Sequence, residues 1–150
     1  MGDEIIKSDS SSNQNPYDFK LEGEDVYEVT VKKSFSAAHV IDAIGGKCET
    51  LHGHNFAVEV SISGAKLNAE GLLVDFRVLK QWTDEVLDTL DHKYLNDIEY
   101  FKDVNPSSEH IARFIHDKIA EKARGYDFEV TRVTVWESEN ARVSYSGTRQ

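Results

Sequence analysis

The chain has 150 residues, of which 39% are hydrophobic, and a formal net charge of -10 at pH 7. This length is typical of one domain with its own hydrophobic core. The acidic balance speaks against a nucleic-acid-binding protein, because phosphate backbones are bound by clustered Lys and Arg, and no such cluster occurs. The single cysteine, Cys48, excludes an intramolecular disulfide, so we expect a cytoplasmic protein. No apolar run approaches the length that spans a bilayer, so we expect no membrane contact.

The first residues differ in composition from the rest of the chain. Residues 1–25 are polar, with several Ser and Asn and few large apolar side chains. Too little apolar surface is available there to offset the entropy lost on ordering. We therefore predict a disordered tail over residues 1–25 and a single domain over residues 26–150.

Alternating apolar and polar residues predict two strands at the start of this domain. The first covers residues 27–38 and has His39 at its end. The second begins at about His54 and continues to Ile62. Residues 40–51 form the connecting loop, and we expect the two strands to be antiparallel neighbours. In that arrangement the end of the first strand lies beside the start of the second.

Two helices are predicted next. Asp75 stands where an N-cap is expected, before a helical pattern over residues 76–90. Residues 105–109, Asn-Pro-Ser-Ser-Glu, predict the start of a second helix, because Pro suits a first turn and short polar side chains cap free N–H groups. Gly125 predicts the end of that helix.

Two further strands complete the pattern. Residues 128–137 alternate with one slip at residues 131–132, and residues 141–145 alternate again. The order β-β-α-α-β-β predicts an α+β fold with a four-stranded antiparallel sheet and two helices on one face. Such a sheet has two unpaired edges, and we expect edge pairing between subunits.

A His-Gly-His sequence indicates a metal site. His52 and His54 share the parity of the apolar residues that follow, so both imidazoles are expected on one face of the strand. Two residues rise about 6.6 Å, close enough for both side chains to bind one ion. His39 can reach the same face as a third ligand. Three histidines with no fourth protein ligand nearby describe a catalytic zinc site, with an open position for water or substrate.

Cys48 leaves two interpretations of that site open. As a fourth ligand it would close a structural zinc site and indicate a zinc-stapled binding module rather than an enzyme. Otherwise a cysteine beside a divalent cation can serve as a base or nucleophile. A cupin-type metalloenzyme is a further alternative, since Gly46-x5-His52-x-His54-x4-Glu59 matches most of that family's first motif. The parity of Glu59, opposite to that of His54, and the two helical stretches weigh against it.

Three other polar residues are candidates. Asp91 and His92 can form a carboxylate–imidazole relay if the first helix has ended before them, because neighbours on a helix do not face each other. Otherwise Asp91 is a helix-capping or solvent-exposed residue, and His92 is a surface residue. Glu137 shares the parity of the apolar residues of its strand and can bind a ligand with two parallel N–H donors. Alternatively, it is a solvated acid at a strand end.

Six motifs occur in a fixed order between about residues 26 and 147. They are Phe35-Ser36-Ala37-Ala38-His39, Cys48-x3-His52-Gly53-His54-Asn55-Phe56, Val74-Asp75-Phe76, Leu90-Asp91-His92-Lys93-Tyr94-Leu95-Asn96, Pro106-Ser107-Ser108-Glu109 and Trp136-Glu137-Ser138. Together they resemble the 6-pyruvoyl-tetrahydropterin synthase family, and most closely its bacterial 6-carboxy-5,6,7,8-tetrahydropterin synthase branch of queuosine biosynthesis. The resemblance implies the tunnelling fold, in which trimers close their sheets into a barrel and two trimers form a homo-hexamer.

The resemblance also assigns roles to residues. It implies that His39, His52 and His54 bind Zn2+. It also implies that the active sites lie at subunit interfaces. It implies that Cys48 is the proton acceptor and that the relay dyad is Asp91 and His92. Glu137 would anchor the amino-pyrimidine edge of a pterin, and the backbone at Ser107 and Ser108 would meet the same ring.

The implied substrate is 7,8-dihydroneopterin triphosphate, converted to 6-carboxy-5,6,7,8-tetrahydropterin, acetaldehyde and triphosphate. Glu49 directly follows Cys48 and leaves a folate-type cleavage to 6-hydroxymethyl-dihydropterin open. The three-residue spacing between Cys48 and His52 favours the queuosine-type product, and the longer spacing usual for 6-pyruvoyl-tetrahydropterin formation makes that product the third alternative. The cations considered for the triphosphate are Lys47, Arg77 and Lys93.

Overall fold

A computed structural model describes residues 25–42 and 50–148. Its elements are, in order, β1 (Tyr27–His39), β2 (His52–Gly64), α1 (Phe76–Asp88), β3 (Lys93–Tyr94), α2 (Ser108–Lys122), β4 (Glu129–Ser138) and β5 (Ala141–Tyr145). Two short 3-10 turns, Leu95–Asp97 and Glu99–Phe101, lie between β3 and α2. The predicted tail up to residue 24 lies outside the described residues, and so do Lys47, Cys48 and Glu49.

The sheet has five strands in the order β3-β1-β2-β4-β5. The four long strands form antiparallel pairs, as predicted. The fifth, β3, was not predicted: its two residues pair in parallel with Ala37 and Ala38 of β1. Two residues are too few to show an alternating pattern, so only the tertiary structure reveals this strand.

The first helix begins at the predicted capping residue, Asp75, and the second begins within the predicted residues 105–109, with Ser107 as its cap. The carboxylate of Asp75 accepts a hydrogen bond from the Arg77 backbone N–H at 2.8 Å, and the Ser107 hydroxyl accepts one from the His110 N–H at 3.2 Å. The first helix ends at Asp88, two residues before its predicted end. The second helix ends at Lys122, three residues before the predicted stop at Gly125, whose φ of +83° belongs to the turn that follows.

The core lies between the helices and one face of the sheet. Along β2 the alternate residues Phe56, Val58, Val60 and Ile62 are fully buried, and each such burial contributes about 1.5–3 kcal/mol. Glu59 lies on the opposite face, beside Lys32 of β1. The layer of two helices on this sheet rules out the cupin alternative. Within the part of the chain that the structure describes, no helix has the length and apolarity needed to cross a membrane.

The slip in the alternation of β4 is a β-bulge. Ser61 pairs with Arg132 whereas Ile62 pairs with Val130, so Thr131 is an extra residue on β4. Its hydroxyl donates to the Ser61 carbonyl at 3.3 Å. The bulge restores the inward parity of the following residues, and this parity carries through to Glu137.

Candidate active site

The three histidines predicted as ligands lie together at one end of the sheet. His39 pairs directly with His52 in the β1–β2 ladder, and His54 follows two residues later on the same face. The ring centroids of His39 lie 5.2 Å from His52 and 5.3 Å from His54, and the two β2 rings are 4.4 Å apart. The strand register therefore brings the three imidazoles to one point.

Backbone carbonyls orient two of these rings. Nδ1 of His39 lies 2.7 Å from the Pro106 carbonyl oxygen, and Nδ1 of His52 lies 2.6 Å from that of Thr50. A carbonyl only accepts, so in both rings Nδ1 carries the proton and Nε2 keeps its lone pair. This is the tautomer a metal-binding histidine needs. Neither carbonyl could be found from the sequence, because any residue type provides the same group.

Glu137 lies beside the histidines, at a second bulge in β4. Trp136 pairs with Arg142 and Ser138 pairs with Ala141, so Glu137 is the extra residue on β4. Its Oε1 lies 3.0 Å from Nε2 of His54 and 3.3 Å from Nε2 of His39, and its Oε2 accepts from the Ser108 hydroxyl at 3.3 Å. Glu137 has the inward parity of Val133 and Val135, so its carboxylate lies on the same face of the sheet as the imidazoles.

The site suits a metal ion. His39, His52, His54 and Glu137 each offer one ligand atom, and these atoms all lie within 4.8 Å of one another. His39 is fully buried, and its Nε2 has no hydrogen bond from any residue that the structure describes. A buried nitrogen without such a partner is costly unless a metal ion binds it. Imidazole nitrogens with a carboxylate oxygen form a donor set that zinc accepts. Glu137 is thus a fourth possible ligand, which the sequence-based expectation of three histidines alone did not include.

Asp91 and His92 form a direct pair just after α1 has ended. His92 Nδ1 lies 2.9 Å from Asp91 Oδ2, while Asp91 Oδ1 accepts from the Ser36 backbone N–H at 2.9 Å. His92 has a φ of +57°, a left-handed conformation that costs a non-glycine residue about 1–3 kcal/mol. The Ser36 hydrogen bond, and secondarily His92, lower the pKa of Asp91, so its carboxylate stays ionised at neutral pH. The His92 side chain is 81% exposed, so its Nε2 is accessible for proton exchange.

A surface cavity of about 480 Å3 is bordered by one residue of this dyad and one of the histidine cluster. Its lining includes His54 from the cluster, His92 from the dyad and Lys93 of β3. Of the three cations considered for a triphosphate, Lys93 therefore lies at the cavity. Arg77 forms an ion pair with Asp75 at 2.6 Å instead, and Lys47 lies outside the described residues.

The start of α2 borders the same cluster. Ser107 caps the helix, and Ser108, which is buried, holds the Glu137 carboxylate. The helix N-terminus also provides backbone N–H groups and a favourable field for a polar ligand. The two predicted substrate-contacting serines thus lie next to the predicted pterin anchor.

The fold and the site together define a class of protein: an α+β layer whose sheet brings three histidines and a carboxylate that could hold a metal ion to one end, and which also carries an Asp–His dyad. The family model described as 6-pyruvoyl tetrahydropterin synthase matches residues 28–148. The chain belongs to the 6-pyruvoyl tetrahydropterin synthase family.

Relatives within this family carry several names. A putative 6-carboxy-5,6,7,8-tetrahydropterin synthase of Archaeoglobus fulgidus is 42% identical over 75% of this chain and 89% of the relative. A 6-pyruvoyl tetrahydrobiopterin synthase of Dictyostelium discoideum is 38% identical over 69% of this chain and 76% of the relative. A dihydroneopterin monophosphate aldolase of Pyrococcus furiosus is 36% identical over 73% of this chain and 88% of the relative. The solved structure of Caenorhabditis elegans 6-pyruvoyl tetrahydropterin synthase superposes with a TM-score of 0.73 at 26% identity, covering 83% of this chain and 98% of that one. The names of these sequence relatives thus differ in the reaction, while the solved structure shows the shared fold for a 6-pyruvoyl tetrahydropterin synthase.

Proposed function

We propose that the chain is a zinc-dependent lyase that converts 7,8-dihydroneopterin triphosphate and water to 6-carboxy-5,6,7,8-tetrahydropterin, acetaldehyde and triphosphate. The reaction belongs to queuosine (7-deazaguanine) biosynthesis, and we place it in the cytoplasm. The observation that carries the proposal is the convergence of three imidazoles and the Glu137 carboxylate on one point. A cavity lined by both His54 and His92, the latter paired with Asp91, supports it.

The zinc ion would be held by His39, His52 and His54. When bound, it would act as a Lewis acid toward the side-chain oxygens of the substrate and make the neighbouring C–H groups more acidic. The protein's part is to present neutral imidazoles, and the Pro106 and Thr50 carbonyls do this by fixing the protons on Nδ1.

Proton movement is assigned to Cys48 and to the dyad. Cys48, four residues before His52, would accept protons from the side-chain carbons. Asp91 is fixed by Ser36 and holds Nδ1 of His92, which leaves Nε2 of that ring to take up or return a proton. These proton shifts reduce the ring to the tetrahydro level and expel triphosphate from the terminal side-chain carbon, which leaves carbonyl groups on the other two. Water then adds to the carbonyl carbon next to the ring, and the retro-aldol-type cleavage of its bond to the following carbon releases acetaldehyde and leaves the first carbon as the carboxylate. Lys93, at the cavity, is proposed to bind the triphosphate.

Glu137 is proposed to anchor the pterin rather than the metal. Its carboxylate can accept two parallel N–H bonds from the amino-pyrimidine edge, a pairing that is stronger than one between neutral groups. Ser108 would hold it in that orientation, and the backbone at Ser107 would complete the ring's polar contacts.

Glu137→Gln separates these two roles. If the carboxylate anchors the pterin, the variant should keep its zinc affinity within twofold and raise KM by about 10–100-fold, since a charged hydrogen bond contributes about 1.5–3 kcal/mol. Zinc competition with a chelator and steady-state kinetics measure both quantities. Glu139→Gln, two residues later and exposed, is the matched control and should change neither. A large loss of zinc affinity in Glu137→Gln alone would make Glu137 a metal ligand instead.

Oligomerisation is part of the proposal. The outer edge of β5 has no neighbouring strand within the described residues, and the opposite edge is formed by the two-residue β3. Exposed edges are stabilised when they pair with another chain. We propose a homo-hexamer, a dimer of trimers whose sheets close into a barrel and whose sites lie at the subunit interfaces.

Identification of the products tests the proposed reaction. The zinc-loaded protein is incubated with 7,8-dihydroneopterin triphosphate, and pterins and aldehydes are determined by mass spectrometry. A 6-carboxy-tetrahydropterin with equimolar acetaldehyde is the expected result. A 6-hydroxymethyl pterin would assign the chain to folate-type cleavage through Glu49, and a pterin with an intact three-carbon side chain to 6-pyruvoyl formation. An unchanged substrate would reject the lyase assignment.

A further inference from the structure

Beyond His39, side chains bind the backbone that continues β1. Ala37 and Ala38 pair with β3, which ends at Tyr94. The next two residues on that side of the extended chain are Val40 and Asp42. Their backbone groups are bound by the carboxamides of two asparagines from separate segments.

Each asparagine makes a pair of hydrogen bonds to a single residue. The Val40 N–H donates to Asn96 Oδ1 at 2.9 Å, and Asn96 Nδ2 donates to the Val40 carbonyl at 2.9 Å. The Asp42 N–H donates to Asn105 Oδ1 at 3.1 Å, and Asn105 Nδ2 donates to the Asp42 carbonyl at 3.0 Å. A carboxamide has the donor and acceptor of a peptide group, so these bonds reproduce the contacts of a neighbouring strand.

These contacts hold the backbone of both residues that flank His39 in the sequence. The residue before it, Ala38, is held by β3, and the residue after it, Val40, is held by Asn96. Asn105 directly precedes Pro106, whose carbonyl accepts from the His39 ring. The backbone and the imidazole of His39 are therefore fixed by the two segments that carry the asparagines.

We propose that Asn96 and Asn105 are positioning residues for the metal site: their carboxamides take the place of a neighbouring strand and hold the chain around His39, so that its Nε2 meets the Nε2 atoms of His52 and His54. This inference depends on the metal site proposed above. Neither asparagine touches the metal ligands' Nε2 atoms, so both act through the backbone of residues 40–42.

Zinc affinity measured on the full-length protein by competition with a chromophoric chelator tests this role. Asn96→Ala and Asn105→Ala should each weaken zinc binding by about tenfold, the lower end of what outer partners of metal ligands contribute. Asn68→Ala is the matched control. Asn68 also accepts two backbone hydrogen bonds, from Glu70 and Leu72 at 3.0 and 2.9 Å, but in the loop after the opposite end of β2. Its variant should keep wild-type zinc affinity.

The thermal midpoint of each metal-free variant distinguishes positioning from general stability. If Asn96→Ala and Asn105→Ala keep zinc affinity within twofold while their midpoints fall as in Asn68→Ala, the asparagines are only structural and the inference is wrong. If an alanine variant does not fold, Asn96→Asp and Asn105→Asp decide, because aspartate keeps the acceptor and the shape but lacks the donor, and the same loss of zinc affinity is expected. A wild-type protein that binds no zinc would refute the metal site, and this inference with it.

Discussion

The variant His52→Ala is expected to bind zinc more than about 100-fold more weakly than the wild type, because a lost ligand should exceed the about 10–100-fold that a lost outer partner costs. Turnover should fall with the metal. The fold should remain, since His52 is only partly buried at the end of β2 and surface-type substitutions change stability by about 0.5 kcal/mol. Zinc content by atomic emission, turnover by product detection and circular dichroism measure the three quantities.

His116→Ala provides the control for this substitution. Its side chain lies on α2, where Nδ1 is 3.0 Å from an Asp117 carboxylate oxygen and Nε2 is 3.3 Å from the Val130 carbonyl oxygen. It is not one of the four residues that converge on the metal site. This variant should keep zinc and turnover. If His52→Ala kept wild-type zinc affinity as well, the ligand assignment would be wrong.

Cys48→Ala is expected to keep one zinc ion per chain and the oligomer while kcat falls by about 10^2–10^4-fold, the range typical of a lost general base. The physical reason is that the thiolate accepts protons from carbon, a step for which alanine has no group. Zinc content and kcat are measured on the same preparation. A closed structural site with Cys48 as the fourth ligand would instead lose zinc in this variant.

Glu49→Gln distinguishes the two products. If Cys48 carries the reaction, Glu49→Gln should still release acetaldehyde and the 6-carboxy pterin. An active Cys48→Ala variant together with an inactive Glu49→Gln variant would transfer the proton-accepting role to Glu49 and the product to the 6-hydroxymethyl pterin.

Local patterns predict the four long strands, the two helices and the convergence of the histidines. Alternation defines β1 and β2, and antiparallel pairing then requires His39 to lie beside His52, as the register shows. The slip at residues 131–132 is itself a visible signal, since a bulge adds one residue and shifts parity by one. Asp75 and Ser107 cap their helices because their short polar side chains accept hydrogen bonds from backbone N–H groups of the first turn.

Other features depend on distant contacts and leave little trace in the sequence. The parity of Glu137 predicts its inward direction, but its approach to His54 at 3.0 Å and the bulge in its pairing with β5 depend on the tertiary structure. The left-handed conformation of His92 and the strand β3 depend on hydrogen bonds to β1. Asn96 lies in one of the motifs quoted above and Asn105 directly precedes another, but nothing local indicates that their carboxamides bind residues more than fifty positions away.

The central claim is that a zinc ion on the three histidines is required for the lyase reaction. The most direct test removes the metal from the full-length protein, returns zinc in known amounts and measures acetaldehyde release from 7,8-dihydroneopterin triphosphate. We expect no release without metal and a rate that rises linearly and levels off at one zinc ion per chain. A metal-free protein that released acetaldehyde at the full rate would contradict the claim.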